Sequence, residues 1–188
     1  METRKIGVIV GSLRKESYCR KIAKILMLSA PTTLQLEEVD ISGLPMFNQD
    51  LEEQGNEPES WVIFRERMKG FDGVLFVTPE YNRSFSAVIK NALDVGSRPY
   101  GKSIWNGKPG AVISVTPGAL GAFGANHHLR QVLTFLNVPV MQQPEAYVGN
   151  VSELLDQNGN LTNDSTREFL QNFMNSYAAW VETILHNS

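Results

Sequence analysis

The sequence predicts an α/β fold built on a doubly wound parallel sheet of five strands, with helices on both faces. Short apolar runs alternate along the chain with longer segments whose apolar residues recur at helical spacing. The run 73–78 is apolar almost throughout, which is typical of a parallel strand buried on both faces. The first apolar run also leads through a short glycine- and serine-containing loop straight into a helical pattern.

Periodicity then assigns each element in order. Five segments are predicted as strands, at residues 5–10, 34–39, 73–78, 109–115 and 138–141. Five are predicted as helices, at residues 18–29, 58–70, 84–95, 122–136 and 169–185. An acidic loop is predicted at 41–57, and no repeat or linker divides the chain, so residues 1–188 are expected to form one domain.

Composition limits the possible partners. The net charge of -3, without a basic cluster, argues against nucleic acid or an anionic membrane surface. No apolar run approaches the length of a membrane span, and the start of the chain enters a strand directly, so a cytoplasmic protein is expected. Cys19 is the single cysteine, which leaves no disulfide and no cysteine metal cluster. His127 and His128 are adjacent on a helix and cannot share a metal, so no metal site is predicted.

The loop after the first strand has the composition of a phosphate site. Gly11, Ser12, Arg14 and Ser17 place hydroxyls and a guanidinium beside the N–H groups that begin the next helix. These groups suit a phosphate monoester, with its three acceptor oxygens. The loop is neither a P-loop nor a dinucleotide fingerprint, because Leu13 stands where the latter needs its second glycine. An ordinary turn with a serine cap remains the alternative.

Two further loops follow strands and should meet the first at one edge of the sheet. Residues 79–84 bring an aromatic ring and several hydrogen-bonding groups, and residues 116–121 bring two glycines that permit close approach of the backbone. Taken singly, the alternatives are a polar turn capped by Ser84 and a flexible connection. Together with the phosphate loop they favour a phosphate joined to a large planar ring.

The chain resembles the NADPH-dependent FMN reductase family of flavodoxin-like proteins, which includes quinone, azo-dye and chromate reductases. The resemblance covers residues 5–145 and rests on three motifs, Gly11-Ser12-x-Arg14-x-x-Ser17, Pro79-Glu80-Tyr81-Asn82-x-Ser84 followed by Lys90-Asn91-Ala92-Leu93-Asp94, and Gly118-x-x-Gly121. It implies a flavodoxin-like strand order 2-1-3-4-5, FMN as cofactor and NADPH or NADH as co-substrate. It also implies a homodimer or a dimer of dimers.

The resemblance assigns roles to ten residues. Ser12, Arg14 and Ser17 would hold the FMN phosphate, Pro79, Glu80, Tyr81 and Asn82 would border the ribityl chain and isoalloxazine, and Thr116, Gly118 and Gly121 would meet the ring. Gly11, Cys19 and Ser84 complete the predicted cofactor-binding set. The chain departs from the family pattern at Cys19, where asparagine is usual, at Ser86-Ala87-Val88, which replaces a Pro-Gly-rich helix entry, at Val95 and at Ala122. We expect these departures to spare FMN binding and to alter the acceptor pocket.

The predicted function is an FMN-dependent NAD(P)H oxidoreductase that passes hydride through the flavin to quinone-like or other small acceptors by a ping-pong mechanism. No catalytic side chain is expected, since the flavin carries the chemistry. The alternative is a flavodoxin-type electron carrier without a substrate of its own. Such carriers are usually more acidic than -3 and lack an arginine equivalent to Arg14, which disfavours that alternative.

Overall fold

Five strands form one parallel sheet in the order β2-β1-β3-β4-β5 in the computed structural model, which describes residues 3–53 and 55–186. The strands are β1 Arg4–Val10, β2 Leu34–Glu38, β3 Gly73–Thr78, β4 Gly110–Val115 and β5 Ala146–Val148. Because β1 pairs with both β2 and β3, the strand order reverses beside the end of β1, where ligands bind in such sheets. The predicted fold class and strand order are confirmed.

Helices cover both faces of the sheet. They are α1 Tyr18–Leu28, α2 Gln49–Glu53, α3 Glu59–Lys69, α4 Ala87–Gly96, α5 Phe123–Phe135, α6 Val151–Leu154 and α7 Asp164–His186. The apolar faces of α1 and α7 pack on one side of the sheet, and those of α3, α4 and α5 pack on the other. None of the helices within the described ranges has the combination of length and hydropathy that crossing a membrane requires.

The prediction of a fifth strand at residues 138–141 is wrong. Only Val140 pairs there, in an isolated bridge to Gly110, and β5 instead pairs with the second half of β4 at Ala146–Val148. Pro139 and Pro144 explain the difference, since proline has no N–H to donate to a strand ladder. The apolar run 138–141 therefore pairs with the sheet at one residue only. The chain forms a strand of the sheet only after Pro144.

Two helix starts also differ from the prediction. Helix α4 begins at Ala87 because Tyr81 and Ser84 exchange backbone hydrogen bonds of 2.9 and 3.0 Å, which closes a tight turn before the helix. Helix α7 begins at Asp164, five residues earlier than predicted, because Asn163 Oδ1 accepts a hydrogen bond of 2.8 Å from the N–H of Thr166 and caps it. The short helices α2 and α6 were not predicted.

Candidate functional site

A cavity of about 240 Å³ opens beyond the carboxyl ends of β1, β3 and β4. All three predicted loops contribute to its walls, which consist of Ser12, Arg14, Ser17, Tyr18, Cys19, Pro79, Glu80, Tyr81, Val115, Thr116 and Pro117. Eight of the thirteen predicted cofactor-binding residues are in this set. The structure therefore brings the three loops together, as the strand order requires.

Gly11 continues β1 into the first loop. Its N–H donates to the carbonyl of Val77 at 2.8 Å, so the loop begins while still attached to β3. A Cβ atom at this position would lie 2.6 Å from Ile89 Cδ1, 2.8 Å from Ser86 Oγ and 2.9 Å from Pro79 Cδ. Only glycine lets the loop pass so close to the start of α4.

The two serines of the loop are buried, whereas its arginine is exposed. Ser17 caps α1, since its Oγ accepts a hydrogen bond of 3.2 Å from the N–H of Arg20. The neighbouring Arg20 is neutralised by Glu38 at 3.0 Å. Within the described ranges, by contrast, the guanidinium of Arg14 has no hydrogen bond or ion pair, so its charge is available to a ligand.

Cys19 lies on the buried face of α1 and contributes to the cavity wall. Burial raises the pKa of its thiol to about 12. The thiol is therefore neutral at physiological pH, when only a thiolate would act as a nucleophile. It serves as a small packing group on α1.

Glu80 connects the second loop to α5. Its side chain is 13% exposed, and Oε2 accepts a hydrogen bond of 3.0 Å from the N–H of Ala125 in the first turn of that helix. The N-cap residue of α5, Ala122, offers no side chain for this purpose. The carboxylate of Glu80 thus caps α5 and meets the positive end of its dipole. A second link joins Ser84 Oγ to His128 Nδ1 at 2.8 Å.

The third loop is supported from inside the sheet. Ser114 Oγ donates to the carbonyl of Gly121 at 2.7 Å, and Thr116 Oγ1 accepts from the N–H of Gly118 at 3.2 Å. Gly121 has a φ of 62°, and a Cβ there would lie 2.6 Å from Tyr147 Cβ. The close approach that this glycine permits is therefore to β5.

Five predicted residues lie outside the cavity wall. Asn82 sits at a φ of 51° in the turn after Tyr81, while Gly11, Ser84, Gly118 and Gly121 make the backbone or side-chain contacts given above. Sequence reasoning missed Tyr18, Val115 and Pro117, which do line it. Each is adjacent in sequence to a predicted residue, and this adjacency is the signal that could have found them.

The cavity can hold an anion joined to a larger group. Its polar groups are the hydroxyls of Ser12 and Ser17 and the unpaired guanidinium of Arg14, and they suit the phosphate monoester of FMN. The rest of the wall, after β3 and β4, includes Pro79, Tyr81, Val115 and Pro117. No group of three or more potential metal ligands occurs among the described residues.

Comparisons with known proteins agree with this geometry. The sequence model described as NADPH-dependent FMN reductase matches residues 4–153. A quinone reductase of Pseudomonas putida is 56% identical over 177 residues, which is 94% of each chain. A 2-hydroxy-1,4-benzoquinone reductase of a Burkholderia species is 46% identical over 94% of this chain and 96% of its own length.

Solved structures give the same result. The flavoenzyme FerB of Paracoccus denitrificans, an NAD(P)H:(acceptor) oxidoreductase, superimposes with a TM-score of 0.90 and 39% sequence identity. The match covers 96% of this chain and 98% of FerB. The chain therefore belongs to the NADPH-dependent FMN reductase family, which confirms the resemblance, the class of enzyme and FMN as the cofactor.

Proposed function

We propose that the protein reduces quinones with electrons from NADPH or NADH by a ping-pong mechanism, with FMN held in the cavity between the three loops. The observation that supports the proposal most is Arg14, whose guanidinium has no ion pair among the described residues. It lies in the same cavity wall as two buried serines, at the point where the strand order reverses. The names of the relatives, which are quinone and hydroxybenzoquinone reductases, support a quinone as acceptor.

In this proposal each loop binds a different part of FMN. Ser12, Arg14 and Ser17 hold the FMN phosphate, and residues 79–82 with Thr116 border the ribityl chain and the ring. FMN, when bound, supplies the hydride chemistry. Glu80 contributes through its backbone and by fixing its loop to α5, since its carboxylate is already bonded to the N–H of Ala125.

Donor and acceptor alternate at one place. If two loops enclose the phosphate and the ribityl chain of FMN, only one face of its isoalloxazine ring is open. Two planar molecules cannot stack on that face at the same time. The nicotinamide therefore binds first and leaves, and the quinone then takes its place. The surrounding protein orients each reactant and excludes water.

Association with a second copy belongs to the same proposal. The three loops around the cavity carry exposed apolar side chains, with Leu13 on the first, Tyr81 on the second and Leu120 on the third. Such a patch is typical of an interaction surface. We propose a homodimer or a dimer of dimers in the cytoplasm, where the nicotinamide donor is found.

Initial-rate kinetics test the proposal. With NADPH and a quinone varied together, double-reciprocal plots should give parallel lines. Intersecting lines would contradict the alternation of donor and acceptor on one face. A flavin that neither NADPH nor NADH reduces would instead favour the electron carrier.

A further inference from the structure

Helix α5 carries a fully buried asparagine that is hydrogen-bonded at both of its polar atoms. Asn126 Oδ1 accepts a hydrogen bond of 2.8 Å from Nε of Arg130. Its Nδ2 donates to the carbonyl of Ala146 in β5 at 3.2 Å and to Ser114 Oγ in β4 at 3.3 Å. Asparagine is mostly exposed in proteins, because burial of its amide is costly unless each polar atom finds a partner. The buried position of Asn126 therefore calls for an explanation.

The partners of Asn126 fix the direction of each hydrogen bond. A guanidinium only donates and a backbone carbonyl only accepts, so the amide oxygen faces Arg130 and the amide nitrogen faces Ala146. The nitrogen also donates to Ser114 Oγ, which leaves the hydroxyl proton of Ser114 for the carbonyl of Gly121 at 2.7 Å. A single chain of hydrogen bonds thus joins Arg130 on α5 to Gly121 at the end of the third loop.

The same stretch of α5 also holds the second loop. The N–H of Ala125, the residue before Asn126, donates to Glu80 Oε2 at 3.0 Å. A Cβ atom at Gly124 would lie 3.1 Å from the carbonyl oxygen of Arg83, so the helix and the second loop are in close contact there. Consecutive residues of one helix therefore anchor the loops that follow β3 and β4, and the position of one loop relative to the other depends on α5.

We propose that Asn126 is a positioning residue for the flavin ring, which acts through Ser114 to hold the third loop where the ring needs it. The inference rests on the proposed function, in which the second and third loops border the ring. Asn126 is fully buried and is not among the residues of the cavity wall, so it acts only through its partners. A loop that is ordered beforehand loses less conformational entropy when FMN binds, and the chain of hydrogen bonds therefore favours binding of the cofactor.

Replacing Asn126 with aspartate reverses the hydrogen bond to Ser114. One carboxylate oxygen still accepts from Arg130, while the other takes the place of Nδ2 and can only accept. The hydroxyl of Ser114 has a single proton, and a carboxylate attracts it more strongly than the carbonyl of Gly121 does. The third loop then loses its hydrogen bond to β4, although the volume of the side chain on α5 hardly changes.

A second variant and a matched control complete the test. Ser114→Ala removes the same hydrogen bond to the third loop without placing a charge in the core. Tyr177→Phe is the control, because it also removes one buried hydroxyl that donates to a backbone carbonyl, that of Pro109 at 3.2 Å. Pro109 precedes β4, whereas Ser114 lies near the carboxyl end of that strand, so the control leaves the anchor of the third loop intact.

Three measurements compare the variants. Hydrogen exchange of the FMN-saturated protein, read by mass spectrometry over residues 116–121, should be about 2- to 10-fold faster in Asn126→Asp and Ser114→Ala. Fluorescence titration of the apoprotein should show FMN binding weakened about 3- to 10-fold in both. The visible circular dichroism of bound FMN should also change, which a loss of stability alone would not cause. The double variant should lose no more affinity than the weaker single variant, since both substitutions remove one anchor. Tyr177→Phe should match the wild type in all three measurements.

Wild-type FMN affinity and dichroism in both Asn126→Asp and Ser114→Ala would overturn the inference, and so would additive losses of affinity in the double variant. If NADPH still reduced the flavin, the proposed function would stand without this role for Asn126. Failure of NADPH to reduce even the wild-type flavin would refute the proposed function instead. Because none of the three measurements uses NADPH or a quinone, they decide on Asn126 in either case. If Asn126→Asp misfolds, Ser114→Ala alone decides it.

Discussion

Replacing Arg14 with alanine should weaken FMN binding without weakening the fold. The guanidinium is exposed and has no ion pair among the described residues, so its removal breaks no contact of the protein itself. We expect the free energy of unfolding of the apoprotein to change by less than about 0.5 kcal/mol. A charge-assisted hydrogen bond to the phosphate contributes about 1.5–3 kcal/mol, which corresponds to a loss of about 10- to 150-fold in affinity.

Titration of the apoprotein with FMN, followed by quenching of flavin fluorescence, measures this loss. Lys15→Ala is the matched control, because it removes the same charge from the same loop at an exposed residue outside the cavity wall. The control should change the dissociation constant less than about 3-fold, since exposed charges at a distance are screened. Equal losses in the two variants, or none in Arg14→Ala, would refute a direct contact between Arg14 and the phosphate.

Three further predictions concern the support of the site. Glu80→Ala should destabilise the fold by about 0.5–2 kcal/mol through loss of the α5 cap, and Glu80→Gln by less, as measured by urea unfolding; equal effects would contradict the capping role. Gly11→Ala should cost about 1–3 kcal/mol in the same assay, since its Cβ would lie within 2.9 Å of Pro79; wild-type stability would show that the loop can move. Burial raises the pKa of Cys19 to about 12, so its thiol should react slowly with iodoacetamide at pH 8 until urea unfolds the protein. Fast alkylation of the native protein would contradict its burial.

Burial of Cys19 also predicts a dependence of stability on pH. The folded state keeps the thiol protonated up to about pH 12, whereas an unfolded chain loses that proton near the ordinary pKa of 9.0. Between these values the folded state binds more protons, so stability should fall as pH rises. Cys19→Ser should reduce this slope in urea unfolding between pH 9 and 10.5, and an unchanged slope would assign it to other groups.

The local pattern of the sequence was enough to predict the sheet and the three loops. The periodicity of apolar residues and the buried apolar runs predicted four of the five strands. The strand order brings Ser12, Glu80 and Thr116 to one cavity. The prediction of the fifth strand was wrong because Pro139 interrupts the apolar run 138–141, and the chain pairs with β4 only after Pro144. Whether an apolar run becomes the edge strand depends on whether it can pair with β4. The local sequence pattern does not contain that information.

Individual side chains were harder to predict than loops. The sequence did not predict that the carboxylate of Glu80 caps α5, a helix that begins more than forty residues later. The packing of Gly121 against Tyr147 was not predicted either. Ser86 Oγ is buried and has no hydrogen-bond partner in the described part of the chain, which could not be inferred because serine before a helix usually caps it. These contacts join residues distant in sequence, and only the packed structure shows them.

The cofactor and its response to both substrates test the central claim most directly. The purified protein, supplied with FMN, should retain one FMN per chain and no FAD, as identified after heat release. Anaerobic NADPH should bleach the visible flavin absorption, and a quinone added afterwards should restore it. Retention of FAD in preference to FMN would contradict the phosphate site built around Arg14, and a flavin spectrum unchanged by NADPH and NADH would contradict the proposed reductase.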